Sequence, residues 1–196
     1  MGRKQKPIID DLDNGWATVI ALDPGGTTGW SVMCVYADSL VDDEVSILRS
    51  IAHRAHGQIN GTERQQCTDI LDLIAAWPYA AVVIESFTLR KFTMSSELLS
   101  PVRIGAVIEY ALWRGGLGVM PAGRPLFWQS PALAKKTATD ERLREWKLWE
   151  RDGEQHARDA DRHAITFLRS AKGRTRIRAA AWPWRYDKNG NMKEDV

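Results

Sequence analysis

The stretch Trp16–Tyr36, WATVIALDPGGTTGWSVMCVY, decides how the rest of the chain is read. Trp16 to Leu22 is apolar at both odd and even positions, as a strand is when both its faces are covered, so it belongs in the middle of a sheet. Asp23 ends it. Pro24, Gly25 and Gly26 then force a turn, and Thr27 to Tyr36 resumes β-rich sequence, which predicts an antiparallel hairpin. Beyond the acidic turn Asp42, Asp43 and Glu44, Val45 to Ala52 reads as a third antiparallel strand.

From about Asn60 the period changes. Cys67, Ile70, Leu71, Ile74 and Ala75 recur at helical spacing, and Pro78 stops that helix after Trp77. Ala80 to Glu85, AAVVIE, is a short apolar run ending in a carboxylate and reads as a buried strand. Ser95 or Ser96 is placed to cap a helix running to about Trp113, with Leu99, Val102, Val107, Ile108, Ala111 and Leu112 as its apolar positions and Gly115–Gly116 as its stop. Pro101 fits only near its first turn. Pro125 to Gln129 reads as a last strand, and Ser130–Pro131 opens a short helix carrying Lys135 and Lys136. Thr139–Asp140 caps another, with Leu143, Trp146 and Trp149 spaced by three, and Gly153 breaks it. Glu154 to Ser170 is the final long helix, striped with Ala157, Ala160, Ala164, Ile165 and Leu168. The order β-β-β-α-β-α-β-α predicts an α/β domain with a mixed five-stranded sheet flanked by helices, the arrangement of the ribonuclease H-like fold.

Composition agrees. The 196 residues suit one domain, and 44% hydrophobic with 27% charged residues describes a globular chain. Residues 1–14 read as a flexible polar tail, 15–171 as the domain, and 172–196 as a partly ordered basic and aromatic tail. No apolar run is long enough to span a membrane, so a cytoplasmic protein is expected. Cys34 and Cys67 are too few and too scattered for a disulfide scaffold or a cysteine zinc site and read as core thiols. His53, His56 and Cys67 lack zinc spacing. The net charge of +2 neither requires nor excludes a nucleic-acid partner.

Asp23 and Glu85 each end a buried strand. If those strands are parallel neighbours about 4.8 Å apart, both carboxylates project at the carboxyl edge where α/β folds bind ligands. Two acids so placed repel, and a hard divalent cation relieves the repulsion, magnesium or manganese before zinc. His156 and Asp159 stand three apart on the last helix and share a face, with Ala157 and Ala160 allowing close approach to the sheet. Asp161, two residues from Asp159, should face elsewhere, and His163, four residues after it, could contribute; both are second choices.

ALDPGGTTGW at Ala21–Trp30, VVIESF at Val82–Phe87 and HARDADRHA at His156–Ala164 together resemble the RuvC-like Holliday junction resolvases, particularly the short versions of bacteriophages and their hosts. The resemblance spans about Trp16 to Ala171. It implies a homodimeric, magnesium-dependent endonuclease, in a bacterial cell or a phage-infected host, that nicks two strands of a four-way DNA junction symmetrically. Asp23, Glu85 and Asp159 match the family's acids, and His156 matches a position held by aspartate or histidine. Lys135 or Lys136 would correspond to a lysine near the phosphate, and Phe87 is nearest to an aromatic residue at the junction centre. Two ions about 3.5 to 4 Å apart would activate water and stabilise the leaving oxygen, with His156 either a ligand or a group that positions water. Arg90, Lys91, Arg103, Lys172, Arg174, Arg176 and Arg178 are candidate phosphate partners. Trp182, Trp184 and Tyr186 are expected to pack on the domain or its twin, stacking on unpaired bases being the alternative. The rivals are another ribonuclease H-like nuclease acting on branched DNA or an RNA–DNA hybrid, a junction-binding protein without catalysis, and an actin-like ATPase, whose phosphate hairpin DPGGTTG also resembles.

Overall fold

The computed structural model describes residues 15–87, 99–115, 123–149 and 154–193. Five strands, β1 (Trp16–Asp23), β2 (Thr28–Tyr36), β3 (Ile51–Ile59), β4 (Ala81–Glu85) and β5 (Leu126–Gln129), form one sheet in the order β3-β2-β1-β4-β5. β1 lies at its centre, as its two-sided apolar sequence predicts. It pairs antiparallel with β2 and parallel with β4, and β4 pairs parallel with β5, so the sheet is mixed as expected.

Helices cover both faces. Ala17, Val19 and Ala21 of β1 and Val83 of β4 pack under α5 (Gln155–Gly173), against Ala164, Ile165 and Leu168. Ile20, Leu22, Val82 and Ile84 point the other way, onto Ile70 and Ile74 of α1 (Glu63–Ala76) and Ile104, Ile108 and Leu112 of α2 (Ser100–Arg114). The parity that puts Ala17 to Ala21 under α5 also carries Asp23 there, and the parity of Ala81 and Val83 carries Glu85.

Four expectations are corrected. The third strand is not Val45–Ala52: Ile47–Arg49 is a 3-10 turn that tucks Ile47 into the core, and β3 begins at Ile51. β3 is an edge strand whose Arg54 and His56 serve a buried carboxylate, so it lacks the apolar alternation that marks a strand. On α2, Leu99, Val102 and Val107 are exposed, because the helix has two apolar stripes and only the one through Ile104, Ile108 and Leu112 faces the sheet. Ser95, Ser96 and Gly116 lie outside the described residues, whereas Pro101 sits in the first turn and Gly115 caps the end at φ 64°. α3 (Pro131–Thr137) is as expected, but α4 (Asp140–Glu145) stops before Trp149, at Trp146 and the left-handed Lys147.

The fourth correction concerns residues 172–193, which are built into the domain instead of trailing from it. Lys172 belongs to α5, and Thr175–Ala181 forms α6. Trp182 is fully buried and donates its indole N–H to the Thr18 carbonyl at 2.8 Å; the Tyr186 hydroxyl donates to the Ala37 carbonyl at 2.6 Å. Trp184 packs edge-on against Tyr79. Packing on the domain, the expected use of these aromatics, is the observed one. Both cysteines are free, Cys34 in the core and Cys67 half-buried. No helix among the described residues is long and apolar enough to cross a membrane.

Candidate active site

Backbone register brings the acids together. The β1–β4 pairing runs to Leu22 opposite Ile84, and one further step sets Asp23 beside Glu85; Gly29 of β2 pairs with Asp23, and Gln129 of β5 with Glu85. Across this edge lies the first half of α5. Its helical spacing turns His156, Asp159 and His163 toward the strand ends.

His156 Nδ1 meets Asp23 Oδ2 at 2.9 Å. His163, 1% exposed, bridges Glu85 Oε2 and Gln129 Oε1, each at 2.7 Å. Asp159, also buried, accepts from the Arg162 guanidinium, which reaches Asp140 as well and is anchored by its Nε on the Ala138 carbonyl at 2.9 Å. Each acid thus leans on a basic neighbour. Burial raises Asp23 to about 6 against the hydrogen bond from His156 that lowers it, with repulsion from Glu85 and Asp159 adding to the rise. The three carboxylates therefore share one electrostatic site.

Gly29 makes the close approach of α5 possible. A Cβ at this position would lie 2.0 Å from the His156 backbone carbonyl oxygen, so the first turn of α5 rests directly on the β2 backbone. The preceding turn is fastened from outside: Gln66 donates to the Gly26 carbonyl at 2.9 Å and accepts from the Thr28 hydroxyl at 2.6 Å, while Thr27 donates to Asn60 at 2.9 Å. Both threonine hydroxyls of DPGGTTG are used within the protein.

Asp161, two residues from Asp159, faces β2 and β3 instead, as expected. It is fully buried and accepts from the Ser31 hydroxyl at 2.7 Å and Arg54 at 2.6 Å, with His56 Nδ1 at 2.7 Å. Burial opposes its charge, but the His56 and Arg54 hydrogen bonds outweigh that and hold its carboxyl below the usual range.

The cations divide sharply. Lys135 lines the cleft that contains Asp159, together with Arg158 and Trp149, whereas its neighbour Lys136 turns into a separate groove beside Arg174. Arg176 is exposed. Lys172 is not a free phosphate ligand, because its ammonium donates to the carbonyls of Ser39, Asp42 and Val45. Arg178 is likewise buried and spent on the carbonyls of Leu40, Ala171, Lys172 and Gly190. Arg103 is paired with Glu63. Phe87 is half-buried two residues past Glu85, and Arg90 and Lys91 lie outside the described residues. Sequence reading missed Arg162 and Gln129 and ranked His163 low, although its position four residues after Asp159 was a visible signal.

Among the described residues no three His, Cys, Asp or Glu side chains already close into a metal cage. The donor set nonetheless suits a hard cation. Three carboxylates offer only oxygen, and Asp23, lifted chiefly by burial and further by repulsion from Glu85 and Asp159, carries a charge that a divalent ion would stabilise.

Sheet order, helix layers and an acidic carboxyl edge define an α/β protein of the ribonuclease H-like class. No protein-family model matches the sequence, and neither does any curated protein. Among solved structures the chain is similar to RuvC from Thermus thermophilus, with a TM-score of 0.53 and 15% identity over 80% of this chain and 96% of that one. It is similar also to T. thermophilus RuvC in complex with Holliday junction substrate, with a TM-score of 0.52 and 18% identity over the same shares. The likeness is one of fold, and it agrees with the RuvC-like architecture expected from the three motifs.

Proposed function

We propose that this protein is a divalent-metal-dependent endonuclease that resolves four-way DNA junctions by paired symmetric nicks. The observation that carries the reading is that Asp23 and Glu85 end neighbouring parallel strands with Asp159 on the helix that crosses them, and that burial first, then repulsion from the other two acids, pushes Asp23 up to about 6. A RuvC of the same fold solved with Holliday junction substrate supports the choice of branched DNA. Asp23, Glu85 and Asp159 would hold magnesium or manganese, with His156 beside Asp23 as a further candidate ligand. Bound there, such ions supply the charge that in-line hydrolysis of a phosphodiester needs. The chain's own groups do the rest. His163 fixes the Glu85 carboxylate and Arg162 fixes that of Asp159. The Lys135 ammonium, on the Asp159 side, offsets charge building at the phosphorus.

The test is a side-by-side incubation of labelled four-way junction, duplex and RNA–DNA hybrid with and without magnesium. Junction nicked symmetrically, only with metal, is expected; preferential cutting of hybrid, or nucleotide hydrolysis with no cutting, contradicts the proposal. The Gly29 contact gives a second expectation. Gly29→Ala must lift the first turn of α5, costing about 1–3 kcal/mol of stability and about 100-fold in cutting through misplacement of His156 and Asp159. Melting curves and single-turnover rates check both, and an unchanged rate would mean that this contact does not seat the helix.

Paired nicks call for a second copy, and the outer stripe of α2 supports one. Val102, Tyr110 and Trp113 are 46%, 56% and 67% exposed, and Trp128 beside the helix is 44% exposed. A contiguous apolar patch of this kind is the usual mark of an interface. Tyr110→Glu with Trp113→Glu is expected to weaken self-association about 100-fold or more in sedimentation, since buried aromatic anchors carry several kcal/mol at interfaces. A wild-type protein that stays monomeric at micromolar concentration on junction DNA would contradict the dimer.

A further inference from the structure

We infer that the groove between α3 and the second half of α5 is a separate binding site for the phosphodiester backbone of duplex DNA. The choice of a junction arm as its occupant rests on the nuclease reading above. The groove is lined by Lys136 and Arg142 on one side and Arg169 and Arg174 on the other, with no carboxylate among its lining residues. All four cations are exposed, and none takes part in a salt bridge among the described residues. In a chain whose net charge is only +2, such a segregation of one sign is a local field and not an overall bias. Arg142 is held in place by donating Nη1 to the carbonyls of Lys136 and Thr137, which keeps the rest of its guanidinium for the groove. Arg169 is steadied over the Trp146 ring at 5.9 Å. Fixed guanidinium groups suit phosphate oxygens.

Position favours DNA continuous with the cleft that Asp159 and Lys135 line. Asp159 and Arg169 lie ten positions apart on one helix, about 15 Å at the helical rise. At about 3.4 Å per base pair along a duplex that is roughly four base pairs from the scissile phosphate. α3 spans the two sites, presenting Lys135 to the cleft and Lys136 to the groove. An arm leaving the cleft along α5 therefore meets the cationic groove, with the backbone read by charge alone and no base contacted.

The test compares wild type with a Lys136→Gln, Arg169→Gln, Arg174→Gln variant, leaving Arg142 because it caps α3. Binding is measured in calcium over a range of salt, on a junction with long arms and on one with arms trimmed to about three base pairs. With long arms the variant is expected to bind about 10- to 100-fold more weakly near 0.1 M salt, and its log–log salt slope to fall by about 2 to 3. On the trimmed junction the two proteins should bind alike, and single-turnover cutting at saturating DNA should match. An unchanged slope in a variant that melts like wild type overturns the groove, as does equal weakening on the trimmed junction. A wild type that binds long duplex with these three charges but cuts nothing sustains the groove and overturns the nuclease reading.

Discussion

Asp23→Asn is expected to abolish junction cutting, by about a thousandfold or more, and at the same time to make the protein more stable at neutral pH. The first effect follows from removing one of the three carboxylates proposed to hold metal, whose Lewis-acid contribution is several kcal/mol, each 1.36 kcal/mol being tenfold in rate. The second follows from burial. Asp23 titrates near 6 in the folded chain against 3.8 ordinarily, chiefly because burial disfavours its charge. The folded state therefore holds this proton more tightly than the unfolded one. The favourable contribution of the protonated acid is full below pH 3.8 and is lost as pH rises through 6, leaving a penalty of about 3 kcal/mol at neutral pH. An amide carries no such penalty, though it gives up part of the His156 hydrogen bond. Urea midpoints should thus put the variant above wild type at pH 7.5, with the difference closing toward pH 4. Wild-type cutting by the variant, or a stability gap that widens in acid, would refute this balance of function against stability.

Asp161→Ala should do the opposite. Its fully buried carboxylate neutralises Arg54, binds His56 and Ser31, and so ties α5 to β2 and β3; Arg54 goes on to hold the Leu148 carbonyl at 3.1 Å. Removing one partner of a buried ion pair strands the other, at about 3–5 kcal/mol, which lowers the melting temperature of a chain this size by about 10 °C. The sign of the pH effect is reversed relative to Asp23. The Asp161 carboxyl is held below its ordinary 3.8, so its contribution is present above that value and is lost as pH falls through the still lower folded one. The stability gap between variant and wild type should therefore be largest at neutral pH and shrink in strong acid. Because Asp161 touches none of the three proposed ligands, the fraction that remains folded should still cut. Two acids two residues apart then differ in what they carry: losing Asp159 removes cutting, whatever its broken pair with Arg162 costs the fold, and losing Asp161 weakens the fold around a working site. An Asp161→Ala protein that is stable but inactive would undo that division.

What the chain disclosed in advance depended on how simply each residue's burial followed from its period. β1 was legible because both its faces are covered, and Asp23 and Glu85 were legible because a charge ending an apolar strand has few explanations. Helical spacing alone separated Asp159 from Asp161. β3 was obscure because an edge strand serving a buried ion cluster carries Arg and His where an ordinary strand carries Val and Ile. α2 misled because both of its stripes are apolar, and only tertiary contact tells the core stripe from the exposed one. Lys172 and Arg178 counted as free charges in the sequence, yet each is consumed by carbonyls more than a hundred residues away in the chain, Ser39 for one and Leu40 for the other. The tethering of Asp159 by Arg162 and of Glu85 by His163 required the register of β4 with β5 and the crossing of α5, neither of which local pattern encodes.

Crystals soaked in manganese and measured for anomalous scattering test the cluster directly. The expected result is an anomalous peak within about 2.0 to 2.2 Å of carboxylate oxygens from both Asp23 and Asp159, with Glu85 in the same coordination sphere, vanishing in Asp23→Asn. Manganese bound only at other surface acids, with those three side chains left on His156, His163 and Arg162, would contradict a metal-dependent nuclease built at this edge.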